Sequence, residues 1–352
     1  MSINVMYEEL LKVYRLEEFP ALAEQIRRWR ETRPLAGRTV FDATPVFRNT
    51  MVKYVALLAA GAELTVGYGR GIPCDSSIVE WLQKFGVRVA DSPALSETYD
   101  VVLDCAGANA DVKAKFGYVE LTRSGMYHYR DCKQPVFLAD DGRIKAIETA
   151  LGTGDGFRRG MKHFGYGDFS GRKIVVFGCG KVGSGIVMYA TAGGAEVTVI
   201  DDSSKVKPRF GASIVDLNDR AGIDRAVRDA WCVVCATGIR DALQGRFDLA
   251  ALVNGSALIA NMGVEDEFGP EVPAERVLNR KEPLNFVLEE PTHLKYIDPT
   301  MALDNYGALE VLGGKLSPGL NRPPEELEKR ILDMVRRAGV IAPELARLEA
   351  GK

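Results

Sequence analysis

Glycines 178, 180 and 183 stand in G-x-G-x-x-G spacing within "KIVVFGCGKVGSGI", with Lys181 and Val182 before the last of them. The apolar run ahead of them reads as a strand, and "GSGIVMYATAGG" behind them reads as a helix. That context is what a phosphate-cradling turn requires. The first glycine permits the tight turn, the second lets backbone approach a pyrophosphate, and the third lets the helix pack closely. The helix start then offers unpaired N–H groups and a partial positive charge to the phosphates. The next strand, "EVTVID", ends in Asp201, 23 residues beyond Gly178. A carboxylate there accepts hydrogen bonds from ribose hydroxyls and repels a 2′-phosphate, so NAD is favoured over NADP. Lys205, Lys207 and Arg209 follow closely and soften that preference. Two further strands run out at Thr237-Gly238 and at Asn261-Met262-Gly263. In an open α/β sheet the ligand crevice lies outside such carboxyl ends, which makes Thr237, Gly238, Asn261 and Gly263 further cofactor-binding candidates.

The elements that must position these residues alternate along the chain. "RTVFDAT", "AELTVGYG", "VRVAD", "YDVVLDCAG" and "FGYVELT" read as strands, with helical stretches such as "FRNTMVKYVALLAAG" and "DSSIVEWLQKFG" among them. Asp75 or Ser76 is a plausible N-cap for the last of these and Gly86 its stop. "RKIVVFG", "AEVTVID", "CVVCATG" and "SALIANMG" repeat the rhythm in the second half. Strands alternating with helices of this length indicate βαβ units and parallel sheets. The expected fold class is α/β, with two Rossmann-like domains and the dinucleotide-binding domain inserted in the middle of the chain. Residues 1–150 are assigned to a substrate domain and 151–290 to the NAD-binding domain. Residues 291–352 are assigned to a helical segment that returns to the first domain.

Composition narrows the class of partner. The chain has 352 residues, enough for two domains, and a net charge of −3, which favours neither nucleic acid nor an anionic membrane. No run approaches the roughly 18 apolar residues of a membrane span, and the acidic, amphipathic N-terminus does not resemble a signal peptide. A cytoplasmic location and a small-molecule substrate follow as expectations. The six cysteines suggest no disulfide framework. "CVVC" at 232–235 has CxxC spacing, but in a strand residues three apart face opposite ways, and no second pair completes a metal site. No metal is expected.

An ordered set of motifs resembles the adenosylhomocysteinase family over nearly the whole chain. "FPALAEQIRRWRETRPLAGRTVFDATPVFRNTMVKYVALLAAGAELT" follows the family's first helix, its PL-x-G turn, first strand, helix and GAEV strand. "VELTRSGMYH" resembles the family's EETTTG segment, and "LGTGDGFRRGM" its YGTGQS segment. "NMG" and "DPTMALDN" fall where the family has NIGH and GHPSFVMSN. The resemblance implies NAD as cofactor and a homodimer or homotetramer. The family oxidises a ribose 3′-hydroxyl, eliminates a thiol, adds water and returns the hydride. The resemblance also implies substrate contacts from Thr44, Glu120, Thr122 and His128, and a cofactor contact from Asn305. The chain stops short of the family's C-terminal tail, which reaches a neighbouring protomer's NAD site, so NAD is expected to exchange as a cosubstrate.

The family's catalytic histidines are replaced. Asp42, Val264 and Asp298 stand where the resemblance puts them, and the three histidines present, 128, 163 and 293, match none of those positions. Lys145 neighbours the position of the family's substrate-polarising lysine, and Glu148 lies three residues on, one turn away if helical. Asp104 matches a family aspartate at a strand end. Lys145, Glu148, Asp104, Asp42 and Asp298 are therefore the catalytic candidates, each carboxylate being able equally to cap a helix. Arg48, Arg123, Arg158 and Arg159 border the family's cleft and, if two converge, suit an anionic substrate. The preferred reading is NAD-dependent redox chemistry on a small polar, anionic or nucleoside-derived substrate. Retained hydrolysis of a nucleoside thioether and a catalytically inactive NAD-binding regulator are the alternatives.

Overall fold

The computed structural model describes residues 3–91, 97–207 and 209–351. Its strands are β1 (Thr39–Asp42), β2 (Glu63–Gly67), β3 (Arg88–Ala90), β4 (Thr98–Asp104), β5 (Lys113–Glu120) and β6 (Pro135–Leu138). They continue with β7 (Lys173–Phe177), β8 (Glu196–Asp201), β9 (Ser213–Asp216), β10 (Cys232–Cys235), β11 (Leu258–Asn261) and β12 (Gly319–Asn321). The α-helices are α1 (Ile3–Leu11), α2 (Pro20–Thr32), α3 (Met51–Ala59), α4 (Ser76–Lys84), α5 (Arg143–His163) and α6 (Lys181–Ala192). Then follow α7 (Arg220–Arg228), α8 (Leu249–Asn254), α9 (Leu294–Leu312), α10 (Glu325–Ala338) and α11 (Ala342–Ala350). Among the described residues no helix is long and apolar enough to cross a membrane.

The chain forms two compact units. Unit 1 holds the residues up to Ala146 together with His293–Pro343. Unit 2 holds Ile147–Thr292 together with the residues from Glu344 onward. The second division departs from the expectation that the C-terminal segment returns whole to the first domain. Within unit 2, Arg209 Nε donates to the Gly351 carbonyl at 2.6 Å, so the chain's last residues pack beside the segment after β8.

Unit 1 is built on a seven-stranded sheet in the order β12-β6-β5-β4-β1-β2-β3, and every pairing is parallel. β6 and β12, which the sequence does not announce as strands, extend it at one edge. Strands β1, β2 and β3 proceed one way from the middle and β4, β5 and β6 the other, so the order reverses between β1 and β4. Crossover loops on either side of such a reversal leave a crevice at the strands' carboxyl ends. Local signals set the helices around it. Asp75 accepts the Ser77 amide at 2.9 Å and caps α4, and Gly86 stops that helix with φ of +79°. Helix α10 carries Glu325, Glu326 and Glu328 in its first turn and Arg336 and Arg337 in its last, matching the helix dipole.

Unit 2 has a five-stranded parallel sheet in the order β11-β10-β7-β8-β9, reversing between β7 and β10. The four strands read from the sequence are all present, and β9 is a fifth. Its central strands are continuous apolar runs because both faces are covered. Cys232 and Val234 of "CVVC" enter one buried layer, and Val233 and Cys235 enter the other. The two thiols therefore never meet. The glycine-rich segment near residue 150 lies in the 21-residue helix α5, within which the two units also divide, between Ala146 and Ile147. Its small residues serve a helix crossing inside unit 2. A Cβ on Gly185 of α6 would lie 1.8 Å from the Ala150 carbonyl oxygen, and one on Gly154 would lie 2.6 Å from Gly185 backbone.

Candidate functional site

In unit 2 each glycine of the turn does a different job. Gly178 has φ of +88°, and a side chain there would lie 2.7 Å from the Ala236 carbonyl oxygen on the neighbouring strand exit. A Cβ on Gly183 would lie 1.9 Å from the Gly178 carbonyl oxygen, so only glycine lets α6 start this close to β7. Gly180, by contrast, has nothing within 4 Å of where its Cβ would be. It is the N-cap of α6, with no side chain capping the helix, so the backbone there faces open space. Lys181 and Val182 form the first turn behind it, Val182 packing partly against the core.

Beside the turn lies a cleft of about 350 Å³ lined by Gly178, Gly180, Ile200, Asp201, Leu217 and Thr237, among others. It sits at the β7–β10 reversal. Asp201 closes one side, its carboxylate accepting the Cys179 amide at 2.6 Å and the Asp202 amide at 2.7 Å. Of the three basic residues that follow Asp201 in the sequence, two are engaged elsewhere. Lys205 pairs with Asp202 at 2.8 Å, and Arg209 is bonded to the C-terminal segment and lies over the Phe210 ring. The residues present fit NAD: an open glycine at an uncapped helix start for the pyrophosphate and an acid for the ribose. Asn261 ties down the exit of β11, donating to the carbonyls of Gly263, Glu265 and Lys281 and accepting the Gly263 amide.

In unit 1 the carboxyl ends of β1, β4 and β5 bring Asp42, Thr44, Asp104, Glu120 and Thr122 to one edge of the sheet. Asp104 and Glu120 are register partners on adjacent strands. Asp104 accepts the amides of Cys105 and Asn109, the Asn109 side chain, and the Tyr129 hydroxyl at 2.7 Å. Glu120 accepts the amides of Ala106, Gly107 and Thr122 and the Thr122 hydroxyl. Together the two carboxylates fix the 105–109 loop at the mouth of the β1–β4 reversal. Burial raises both pKa values above the usual carboxylate range. Glu120 reaches about 7, with the Asp104 charge adding to burial. His128 lies over the same loop: a side chain on Gly107 would meet its ring at 2.4 Å.

Asp42 belongs to a second arrangement, which reading the sequence missed. Lys53 on α3 is wholly buried between Asp42 and Asp304, in close contact with Asp42 and 3.0 Å from Asp304 Oδ2. Burial alone would lower the Lys53 pKa, but the two carboxylates outweigh it and the amine is held above its ordinary value. Burial pushes Asp304 up to about 6, with Lys53 drawing it back. Asp42 also accepts the Thr44 amide at 2.9 Å. Lys145, half-buried in the first turn of α5, acts electrostatically on Asp304 and on the buried Cys105. That turn is held by Glu328 of α10, which accepts the Ile144 amide at 2.9 Å. The only sequence signal for Lys53 is a lysine on the apolar face of "MVKYVALLA".

Other candidates are placed differently from the sequence expectation. Asp298 is fully buried, and its two oxygens accept the amides of Ala21 and Leu22 at 3.0 and 2.8 Å, so it caps α2. Asn305 is buried within unit 1, donating to Gln25 and to the Lys53 carbonyl. Glu148, by contrast, lies one turn beyond Lys145 on α5, as its spacing suggests. Arg158 and Arg159 both bond to Asp155, and Arg159 also reaches the carbonyls of Glu290 and Pro291, while Arg48 and Arg123 are exposed. Among the described residues no group of three or more His, Cys, Asp or Glu is arranged to hold a metal ion.

The chain is similar to several known proteins. A family model of NAD(P)-binding domains matches residues 166–257, which contain the glycine turn and the exit of β10. The chain is 26% identical to an adenosylhomocysteinase of Thermoplasma acidophilum over 304 residues, 78% of this chain and 72% of the relative. It is 24% identical to an S-inosyl-L-homocysteine hydrolase of Methanopyrus kandleri, covering 90% of this chain and 87% of the relative. Among solved structures it is similar to a transhydrogenase of Sinorhizobium meliloti, with a TM-score of 0.46 and 15% identity, covering 81% of this chain and 97% of that one. The chain is a divergent, adenosylhomocysteinase-like, NAD-dependent enzyme.

Proposed function

We propose that this enzyme carries out redox chemistry on a small polar substrate bound at the β1–β4 reversal of unit 1, rather than the histidine-assisted hydrolysis that the resemblance implies. One observation carries the reading. The three positions matched to family histidines hold an ion-paired aspartate (Asp42), a valine that is 85% exposed (Val264) and a helix-capping aspartate (Asp298). None of them offers an imidazole or an uncommitted carboxylate to a substrate, and thiol elimination with water addition needs such a group.

What the unit 1 edge offers instead is positive charge beside an anionic interior. Asp42 and Asp304 against Lys53 leave an excess negative charge in a dry site, and Lys145 at the edge balances it. An ammonium so held donates to a substrate hydroxyl or carbonyl oxygen and stabilises negative charge that develops there. Glu148, on the same face of α5 one turn on, is assigned to take the hydroxyl proton. His128 and the 105–109 loop, fixed by Asp104 and Glu120, orient the substrate's polar groups. NAD, when bound at the glycine turn, supplies the hydride acceptor.

The retained-hydrolase reading keeps support from the names of the relatives, an adenosylhomocysteinase and an S-inosyl-L-homocysteine hydrolase. The two readings separate in one assay. The purified protein with NAD is offered small hydroxy acids and nucleosides while reduced-nicotinamide absorbance is followed. In parallel, thiol release is measured from S-adenosyl- and S-inosyl-homocysteine. Net NADH formation that is lost in Lys145→Ala supports the proposal. Steady thiol release without net NADH formation sinks it and supports the hydrolase.

A further inference from the structure

We infer that Glu267 is the positioning residue for the nicotinamide half of the NAD site, acting through the exits of β10 and β11. The two exits, "ATG" and "NMG", are separate motifs in the sequence. In unit 2 one buried carboxylate joins them. Glu267 has no exposed surface. Its Oε2 accepts the Thr237 amide at 2.8 Å and the Thr237 hydroxyl at 2.7 Å, and its Oε1 accepts the Gly238 amide at 2.8 Å. A Cβ on Gly263 would lie 2.0 Å from Glu267 Oε1, so Gly263 is glycine because this carboxylate passes against it.

The geometry explains the residue types at the exit of β10. Thr237 supplies two donors to Glu267, and its hydroxyl oxygen accepts the Ile239 amide at 3.1 Å, so residues 237–239 form one braced unit. Thr237 and Ile239 line the cleft, while Asp201 lines it from the β8 side of the reversal. In a dinucleotide fold the half that carries the ribose-binding acid takes the adenosine. In the sheet order β10 and β11 lie on the other side of β7 from β8, so their exits are assigned to the other nucleotide, the β10 exit reaching the cleft where the two halves meet. Glu267 never reaches the cleft itself, since Thr237 and Gly238 stand between; its role is indirect. An ionised carboxylate has about four acceptor sites and no donor, which suits the three donors aimed at it. A glutamine would turn an NH₂ group toward one set of N–H donors.

The inference holds whichever substrate reading is right. Its test is titration of NAD and of AMP, separately, into the full chain and its variants. Glu267→Gln is expected to weaken NAD by about tenfold or more, the scale of a lost charge-assisted hydrogen bond, and to leave AMP affinity at the wild-type value. Thr237→Val is expected to weaken NAD selectively too, and Thr237→Ser, which keeps the hydroxyl, to retain it. If Glu267→Gln does not fold, the valine and serine variants decide. Parallel loss of NAD and AMP affinity would mean a purely structural role and overturn the inference, as would wild-type NAD affinity in both Glu267→Gln and Thr237→Val. A wild-type chain that binds AMP but not NAD overturns the cofactor assignment and the inference with it.

Discussion

Lys53 and Asp298 are the residues whose environments make the sharpest demands. A buried amine between two buried carboxylates is stable only as a set, because removing one partner leaves uncompensated charge in a dry interior. Lys53→Met is expected to cost about 3–5 kcal/mol in urea unfolding, and adding Asp42→Asn and Asp304→Asn should recover much of that loss. A single variant as stable as wild type would show that the pairs contribute nothing. Asp298 has its pKa pushed up to about 7 by burial, partly offset by the amides of Leu22 and Ala21. Unfolded, it titrates near 3.9, so between roughly pH 4 and 7 the folded chain holds a proton that the unfolded chain has released. Its contribution to stability is complete below that window and falls as pH rises through it. Asp298→Asn is expected to flatten the pH dependence of the unfolding midpoint there. An unchanged slope would refute that assignment.

Among the elements, α5 and α6 carry the most function per residue. α5 carries the proposed Lys145 and Glu148 in its first two turns, and the open start of α6 is the proposed phosphate site. Within unit 2 the two helices meet at Ala150, Gly154 and Gly185 with almost no side-chain volume between them. Gly185→Ala puts a methyl group into the Ala150 carbonyl oxygen, and overpacking of this kind costs about 1–3 kcal/mol. Its Tm should fall and its NAD affinity with it, since moving α6 moves the phosphate-binding amides. Normal NAD affinity in a destabilised Gly185→Ala protein would separate the crossing from the cofactor site. The strand β10 makes the complementary point. Its CxxC spacing invites a redox or metal reading, but burial of both faces sends the thiols to different cores and raises both pKa values.

At the scale of the molecule, two parallel sheets each reverse strand order once, and each reversal collects chemistry-bearing residues at carboxyl ends. In unit 2 those residues are proposed to select the cofactor. Asp201 faces the cleft while Lys205 and Arg209 are bonded elsewhere, so NAD should bind more tightly than NADP by at least about tenfold. Asp201→Ala should narrow the gap. Fluorescence titration of both dinucleotides measures it, and equal affinities in the wild type would contradict the assignment.

The sequence by itself determined the βαβ rhythm, the glycine turn, Asp201 and the central strands of both sheets. These depend on local periodicity and on backbone constraints that residue types carry with them. It also set Asp42, Val264 and Asp298 where the resemblance puts three histidines. Strands β6, β9 and β12 at the sheet margins were less legible, because strands of three or four residues carry little periodicity. The glycine-rich run near residue 150 was legible as the neighbourhood of a domain boundary but not as a helix, since glycine disfavours an isolated helix; the close crossing with α6 is what makes those glycines helical. The same limit applies at the sites. Lys53 reads as a stray charge on an apolar face until Asp304, 251 positions later, is brought beside it. Asp298 reads as a base until both its oxygens are found on the start of α2, and Glu267 reads as a loop acid until two strand exits converge on it. Which carboxylates are committed to holding backbone, and which remain for a ligand, is a property of long-range contacts, and only the tertiary structure decides it.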